Sequence, residues 1–145
     1  MGKALFLHGA HDARVAPFNL REGQPGEVLL EVAAVGLCGS DLHYYKDGGI
    51  GSAKIHKPFV PGHEFAGYLA EDLPARGLSR GDLVAVDPNH ACGHCDHCRS
   101  GHPNLCPNVR FIGAPPYDGA MTERIWVPEE LIVPLTPRFT PEEAV

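Results

Sequence analysis

Four of the five cysteines fall in one short stretch, Cys92, Cys95, Cys98 and Cys106, separated by two, two and seven residues. Four thiolates on so tight a loop satisfy tetrahedral Zn²⁺ and leave no open position, which marks a structural site rather than a catalytic one. In zinc-finger peptides such binding is worth about 10–16 kcal/mol, enough to order a loop this polar. The sharpest rival is an iron–sulfur cluster, because bacterial ferredoxin runs also use two spacings of two and place proline after the last cysteine, as Cys106-Pro107 does here. Their last gap is three residues rather than seven, which favours zinc. His90, His94, His97 and His102 lie in or beside the same stretch. With four sulfurs present, they are expected to be solvated loop histidines, and the zinc lobe is expected to occupy about residues 89–108.

What surrounds such a lobe follows from the turn formers. Seventeen glycines and fourteen prolines in 145 residues disfavour long helices and suit short strands joined by tight turns, so a mainly β fold is expected. A hydrophobic content of 43% with 21% charged residues is the balance of one globular domain. The net charge of −6 opposes binding to nucleic acid or to an anionic membrane surface. No secretory signal pattern opens the chain, and its longest apolar run, Val28 to Cys38, is too short to cross a bilayer. The expected setting is the cytoplasm, where five cysteines speak for metal or catalysis rather than disulfides.

A second constellation lies between Cys38 and Glu64. Cys38-Gly39-Ser40-Asp41-Leu42-His43-Tyr44-Tyr45 is followed by a glycine-rich loop and by Pro61-Gly62-His63-Glu64. A single cysteine is more often a buried small hydrophobe than a ligand. Here, however, a carboxylate follows His63 directly, and Ser40, Asp41 and His43 follow Cys38. These are parts for a Lewis-acid metal, a hydroxyl relay and supporting hydrogen bonds.

Along the chain, Lys3 to His8 and Arg14 to Leu20 read as a hairpin around Gly9-Ala10-His11-Asp12. Glu27 to Leu37 alternates as a strand and delivers Cys38. Ser40-Asp41 offers a cap for a short helical turn through Tyr45, which would set Ser40 and His43 near each other. Phe65 to Leu73 and Leu83 to Val86 read as further strands. Thr140-Pro141-Glu142-Glu143 is a helix start with threonine as cap and glutamate closing a capping box. The sequence stops two residues later, before a helix could persist, so a piece of a longer chain is expected.

The chain resembles the N-terminal catalytic domain of the zinc-dependent medium-chain alcohol and polyol dehydrogenases. Cys38-Gly39-Ser40-Asp41-Leu42-His43, Gly62-His63-Glu64-Phe65-Ala66-Gly67, Gly81-Asp82-Leu83-Val84 and the cysteine quartet carry the resemblance, over nearly the whole chain. Tyr44-Tyr45, Gly48-Gly49-Ile50-Gly51 and Pro115-Pro116-Tyr117-Asp118-Gly119 are similar to the sorbitol, xylitol and idonate branch. The resemblance implies a GroES-like β-barrel with short helices over residues 1–145. It implies a catalytic zinc held by Cys38 and His63, with Glu64 as a supporting carboxylate or alternate ligand, and Asp41 orienting His63. Ser40 would take the alcohol proton, His43 would pass it on, and hydride would go to NAD or NADP. Tyr44, Ile50 and Phe111 map onto pocket walls, with ordinary core packing as the alternative for each. The implied substrate is a small polyol, sugar acid or alcohol, and the implied whole enzyme is a homo-oligomer.

Two departures stand out. The loop Asp72-Leu73-Pro74 is shortened and has leucine where the family has a small residue, which touches only a surface turn. No Gly-x-Gly-x-x-Gly turn occurs, so the nucleotide-binding domain is expected to be absent; the resemblance to the polyol branch also implies a glutamate a few residues past Val145 as third ligand of the catalytic zinc, so this piece is expected to be inactive alone. The reading from another class is a zinc-scaffolded interaction module in which Cys38 and His63 are structural.

Overall fold

The computed structural model describes residues 2–136 and 138–145. The chain opens with the expected hairpin, β1 (Gly2–Gly9) and β2 (Asp12–Phe18), antiparallel with Leu5 opposite Val15. Its turn is short, and His11 takes a φ of 58°, in the left-handed region. The His11 N–H donates to the carbonyl of Tyr45 at 2.6 Å and so ties the hairpin tip to the next helix.

In chain order there follow β3 (Glu27–Gly36), helix α1 (Gly39–Asp47) and a small hairpin of β4 (Gly49–Ile50) and β5 (Ala53–Lys54). Next come β6 (Glu64–Leu69), β7 (Leu83–Val86), β8 (Asn89–His90), the single helical turn α2 (Asp96–Arg99) and β9 (Arg110–Phe111). The last strands are β10 (Arg124–Pro128) and β11 (Ile132–Pro134). Five of them form one antiparallel sheet in the order β10-β3-β6-β7-β11, and β8 pairs with β9 at the base of the cysteine loop. The fold is mainly β, as expected, with the barrel present as a sheet left open between β10 and β11.

The alternation read in β3 sets one sheet face. Val28 and Leu30 are buried and pack with Phe65, Leu69, Val84, Val86, Val127 and Ile132. Each such side chain contributes roughly 1.5–3 kcal/mol through burial, which fixes strand register. A bulge between Val32 and Ala34 then reorients the end of β3, where it meets Phe65 and Glu64 of β6. A second, smaller core joins Leu7, Tyr44 and Phe59 and seats α1 on the first hairpin.

Two local readings are corrected. The residue that caps α1 is Cys38 rather than Ser40 or Asp41, with extended backbone at φ −77° and ψ 157°. Asp41 works from inside the first turn, accepting the Cys38 N–H on Oδ2 at 3.0 Å. Further on, β6 stops at Leu69 instead of running to Leu73. Leu73 is buried in the main core and exchanges backbone hydrogen bonds with Leu78 around the turn Pro74–Arg76. Arg76 then donates to the carbonyls of Glu129 and Ile132, both at 2.9 Å. Leu73 alone is tucked into the core, which explains a leucine at that position, while Asp72 and Pro74–Arg76 lie on the surface as the turn expected there. At the other end, Thr140 and Glu143 form the capping box read in the sequence, over a 3-10 turn.

Candidate metal centres

The first centre forms where β3 hands over to α1 and where a buried, strandless segment enters β6. Cys38 sits at the first junction. At the second, Val60-Pro61-Gly62 is buried and delivers His63 and Glu64. Gly62 has a φ of 97°, and a Cβ there would lie 2.9 Å from side-chain carbons of both Met121 and Val35, so only glycine fits. Glu64 pairs with Gly36, and its carboxylate lies over that glycine. The donor atoms of Cys38, His63 and Glu64 all lie within 4.8 Å of one another.

Around this trio, Ser40 Oγ is 3.4 Å from His63 Nε2. On the other side of the ring, Asp41 Oδ1 is 3.8 Å from His63 Nδ1. Asp41 is only 3% exposed, and its Oδ1 has no hydrogen-bond partner among the described residues. A buried carboxylate facing Nδ1 favours the proton there and leaves Nε2, on the Ser40 side, with a free lone pair. The Phe111 ring packs against the imidazole with centroids 5.4 Å apart. Thiolate, imidazole and carboxylate form a donor set suited to zinc, and three donors leave a position open. The residues present fit a catalytic type of metal site.

Three further residues singled out in the sequence have other partners. His43 is exposed and pairs its Nδ1 with Asp47 Oδ2 at 2.9 Å, which holds the Asp47 carboxyl below its ordinary value. Ser40 and His43 lie three residues apart on the same helix, as the sequence spacing implies. Tyr44 is buried with its ring 5.3 Å from Phe59, the packing alternative for that position, and burial raises its phenol. Ile50 is exposed on the small hairpin.

The second centre is the cysteine loop. Sulfur separations are 3.5 Å for Cys95–Cys98, 3.9 Å for Cys95–Cys106 and 4.0 Å for Cys92–Cys98. All four sulfurs fall within 4.8 Å of one another. Cys95 caps α2, and backbone N–H groups of Cys92 and Cys98 donate to the sulfurs of Cys106 and Cys95. Gly93 and Gly101 turn the loop with φ of 74° and 82°. The Cys92 thiol is drawn down to about 6, chiefly by the backbone N–H of His94, while burial pushes Cys98 up to about 12. Sulfurs this close cannot all carry charge without a cation among them, so the quartet fits a metal ion. His94, His97 and His102 are exposed outside it, and His90 pairs with Glu130 at 3.2 Å.

A cavity of about 450 Å³ opens between Leu20, Trp126 and Tyr117, and none of the metal-donor residues lines it. What the sequence reading missed is the loop after Phe111, whose backbone packs directly on the approach to His63. Its Pro-Pro-Tyr-Asp-Gly stretch served there only as a point of family likeness.

The family model for the alcohol dehydrogenase GroES-like domain matches residues 24–137. The chain is 39% identical to sorbitol dehydrogenase of Bacillus subtilis (strain 168) over 143 residues, 98% of this chain and 40% of that protein. It is 35% identical to L-idonate 5-dehydrogenase of Vitis vinifera over 141 residues, 97% of this chain and 38% of that protein. Among solved structures, galactitol-1-phosphate dehydrogenase from Escherichia coli superposes with a TM-score of 0.84 at 31% identity, over 98% of this chain and 40% of the other. A putative zinc-binding dehydrogenase from Sinorhizobium meliloti 1021 bound to NADP gives 0.81 at 32% identity, over 97% and 40%. The chain thus spans about 40% of the length of these relatives.

Proposed function

Because the chain belongs to the alcohol dehydrogenase GroES-like domain family, we propose that it is the zinc- and substrate-binding domain of an NAD- or NADP-dependent polyol, sugar-acid or secondary-alcohol dehydrogenase. The observation that carries the reading is the meeting of Cys38, His63 and Glu64 within 4.8 Å beside the Ser40 hydroxyl. Names of relatives that act on sorbitol, idonate and galactitol 1-phosphate support the substrate class. Residues 1–145 make up one domain, with the cysteine lobe at about 89–108. The nucleotide is held by chain outside these residues, and the whole enzyme is a cytoplasmic homo-oligomer without nucleic-acid or membrane partners. Among the described residues, no helix is long and apolar enough to cross a membrane.

In this reading Cys38, His63 and Glu64 hold the catalytic zinc, and Cys92, Cys95, Cys98 and Cys106 hold a structural one. Bound at the first centre, zinc supplies Lewis acidity that makes a substrate hydroxyl easier to deprotonate. Asp41 keeps the proton of His63 on Nδ1 and its ring in place. Ser40 Oγ accepts the hydroxyl proton and gives up its own. His43, solvent-exposed and steadied by Asp47, takes that proton onward, and a nicotinamide bound by other parts of the enzyme would supply the hydride acceptor. Phe111 packs tilted against the His63 ring and helps to hold it in place.

The buried Asp41 carboxylate behind His63, with one oxygen on the Cys38 N–H and the other free of hydrogen bonds among the described residues, supports this reading over a purely scaffolding cluster. The test is nucleotide reduction by the full-length enzyme on a panel of polyols, sugar acids and secondary alcohols, with Cys38→Ser and His63→Ala as controls. Turnover lost in both variants supports the proposal. Turnover retained in either overturns it.

A further inference from the structure

We infer that Asp118 fixes where His63 sits, as a positioning residue for the Cys38–His63–Glu64 centre; the inference rests on the metal reading above. His63 is reached through Val60-Pro61-Gly62, which no strand ladder holds. The loop from Gly113 to Met121 holds it instead. Gly119 donates to the Val60 carbonyl at 2.6 Å, Ala120 to Gly62 at 2.9 Å and Met121 to Pro61 at 3.0 Å. The two backbones lie so close that a Cβ on Gly113 would stand 2.5 Å from the Gly62 carbonyl oxygen, and one on Gly119 would overlap the same atom.

All of those bonds are between backbones and carry no side-chain information. The exception is Asp118, whose Oδ1 accepts the Val60 N–H at 2.8 Å across 58 residues of sequence. Its own carbonyl accepts from Gly113 at 3.4 Å, so one residue both closes the loop and fastens it to the segment. A carboxylate on a backbone N–H is a charge-assisted bond, stronger than the neutral ones beside it. The same loop begins at Phe111, which packs on the His63 ring. Slack at Asp118 therefore releases His63 from two directions, its backbone approach and its ring face. Metal ligands must hold position within about 0.5 Å to act together, which makes this fastening matter at the centre and not at the cysteine lobe.

The test uses this chain with one equivalent of zinc in the cysteine lobe, titrated with cobalt(II) while absorption by the cobalt–thiolate pair is followed. Cys38→Ser identifies the signal of the first centre. Asp118→Ala removes the acceptor, whereas Asp118→Asn keeps an oxygen facing Val60. We expect Asp118→Ala to weaken cobalt binding at the first centre about tenfold, with the lobe still retaining its zinc, and Asp118→Asn, which keeps a neutral acceptor, to fall between Asp118→Ala and the intact chain. Equal affinity in Asp118→Ala and the intact chain would overturn the inference. So would an Asn variant as weak as the Ala variant, because charge rather than the fastening would then be at work, or loss of both centres together, because Asp118 would then hold the whole fold. If the intact chain shows no Cys38-dependent cobalt signal, the metal reading itself falls and the inference with it, a failure visible before any change at Asp118.

Discussion

The two centres draw on the same kinds of donor but are built in opposite ways. In the cysteine lobe four sulfurs crowd to 3.5–4.0 Å in a loop with one helical turn and a two-residue strand pair, and only Cys106 among them is buried. At the Cys38 centre a single sulfur, a histidine and an exposed carboxylate sit on strand ends next to Phe65, Ala66 and Val60, all buried in the cores. In the proposed reading, metal would order the lobe, whereas at the Cys38 centre the sheet itself brings the donors together and would leave a coordination position free. A closed shell serves folding, whereas an open one serves chemistry.

The comparison breaks most visibly under Cys98→Ser. With one sulfur gone the shell opens, and because zinc binding supplies about 10–16 kcal/mol in comparable closed sites, the lobe should lose its metal and its order. Amide hydrogen exchange should show loss of protection confined to residues 91–109. Cys38→Ser should leave exchange across the sheet and the melting temperature almost unchanged. Equal destabilisation by the two variants would erase the distinction.

A smaller effect separates chemistry from binding within the open centre. In the full-length enzyme, Ser40→Ala should lower kcat about 10²- to 10⁴-fold with little change in KM, because Ser40 acts on a proton only in the transition state. A variant that raised KM alone would make Ser40 a binding group. Smaller again, Asp41→Asn should weaken metal at the Cys38 centre roughly 10- to 100-fold and leave the lobe untouched, measured by competition with a chelator.

The smallest effect belongs to neither centre and serves as the baseline. Arg21 holds Glu27 at the start of β3, with Nη1 2.6 Å from Oε2, and this keeps the Glu27 carboxyl below its ordinary value. A depressed folded pKa adds stability above the unfolded pKa of about 4.3 and loses it as pH falls through the folded value. The pair is partly exposed, so Glu27→Gln should cost about 1 kcal/mol or less near neutral pH, with the difference from the intact chain vanishing in acid. Urea unfolding at several pH values checks it.

The sequence disclosed most where the causes are local. Cysteine spacing marked the lobe because its ligands lie within a few turns of chain, and alternation in Glu27 to Leu37 marked a strand because one face must be buried. Leu83 to Val86 and the Thr140–Glu143 cap appear as read. What the sequence hid was decided across the chain. Nothing local shows that β10 lies against β3, that Leu73 folds back to Leu78, or that Asp118 reaches Val60. The cap of α1 was misread because Ser40 and Asp41 are both good cap formers. Asp41 instead takes the N3 place of a capping box on the Cys38 N–H, with its second oxygen facing His63.

The central claim is that this chain carries one closed metal centre and one open one. The direct measurement is calorimetric titration of zinc into the metal-depleted chain, paired with elemental analysis of the chain as purified and repeated for Cys38→Ser and Glu64→Gln. The account predicts close to one zinc retained on purification and two binding events. The tight event should be unaffected by either substitution, and the weaker one should be abolished by Cys38→Ser and weakened by Glu64→Gln. Two events of equal affinity, iron with acid-labile sulfide in place of zinc, or a tight event lost with Cys38 would contradict it.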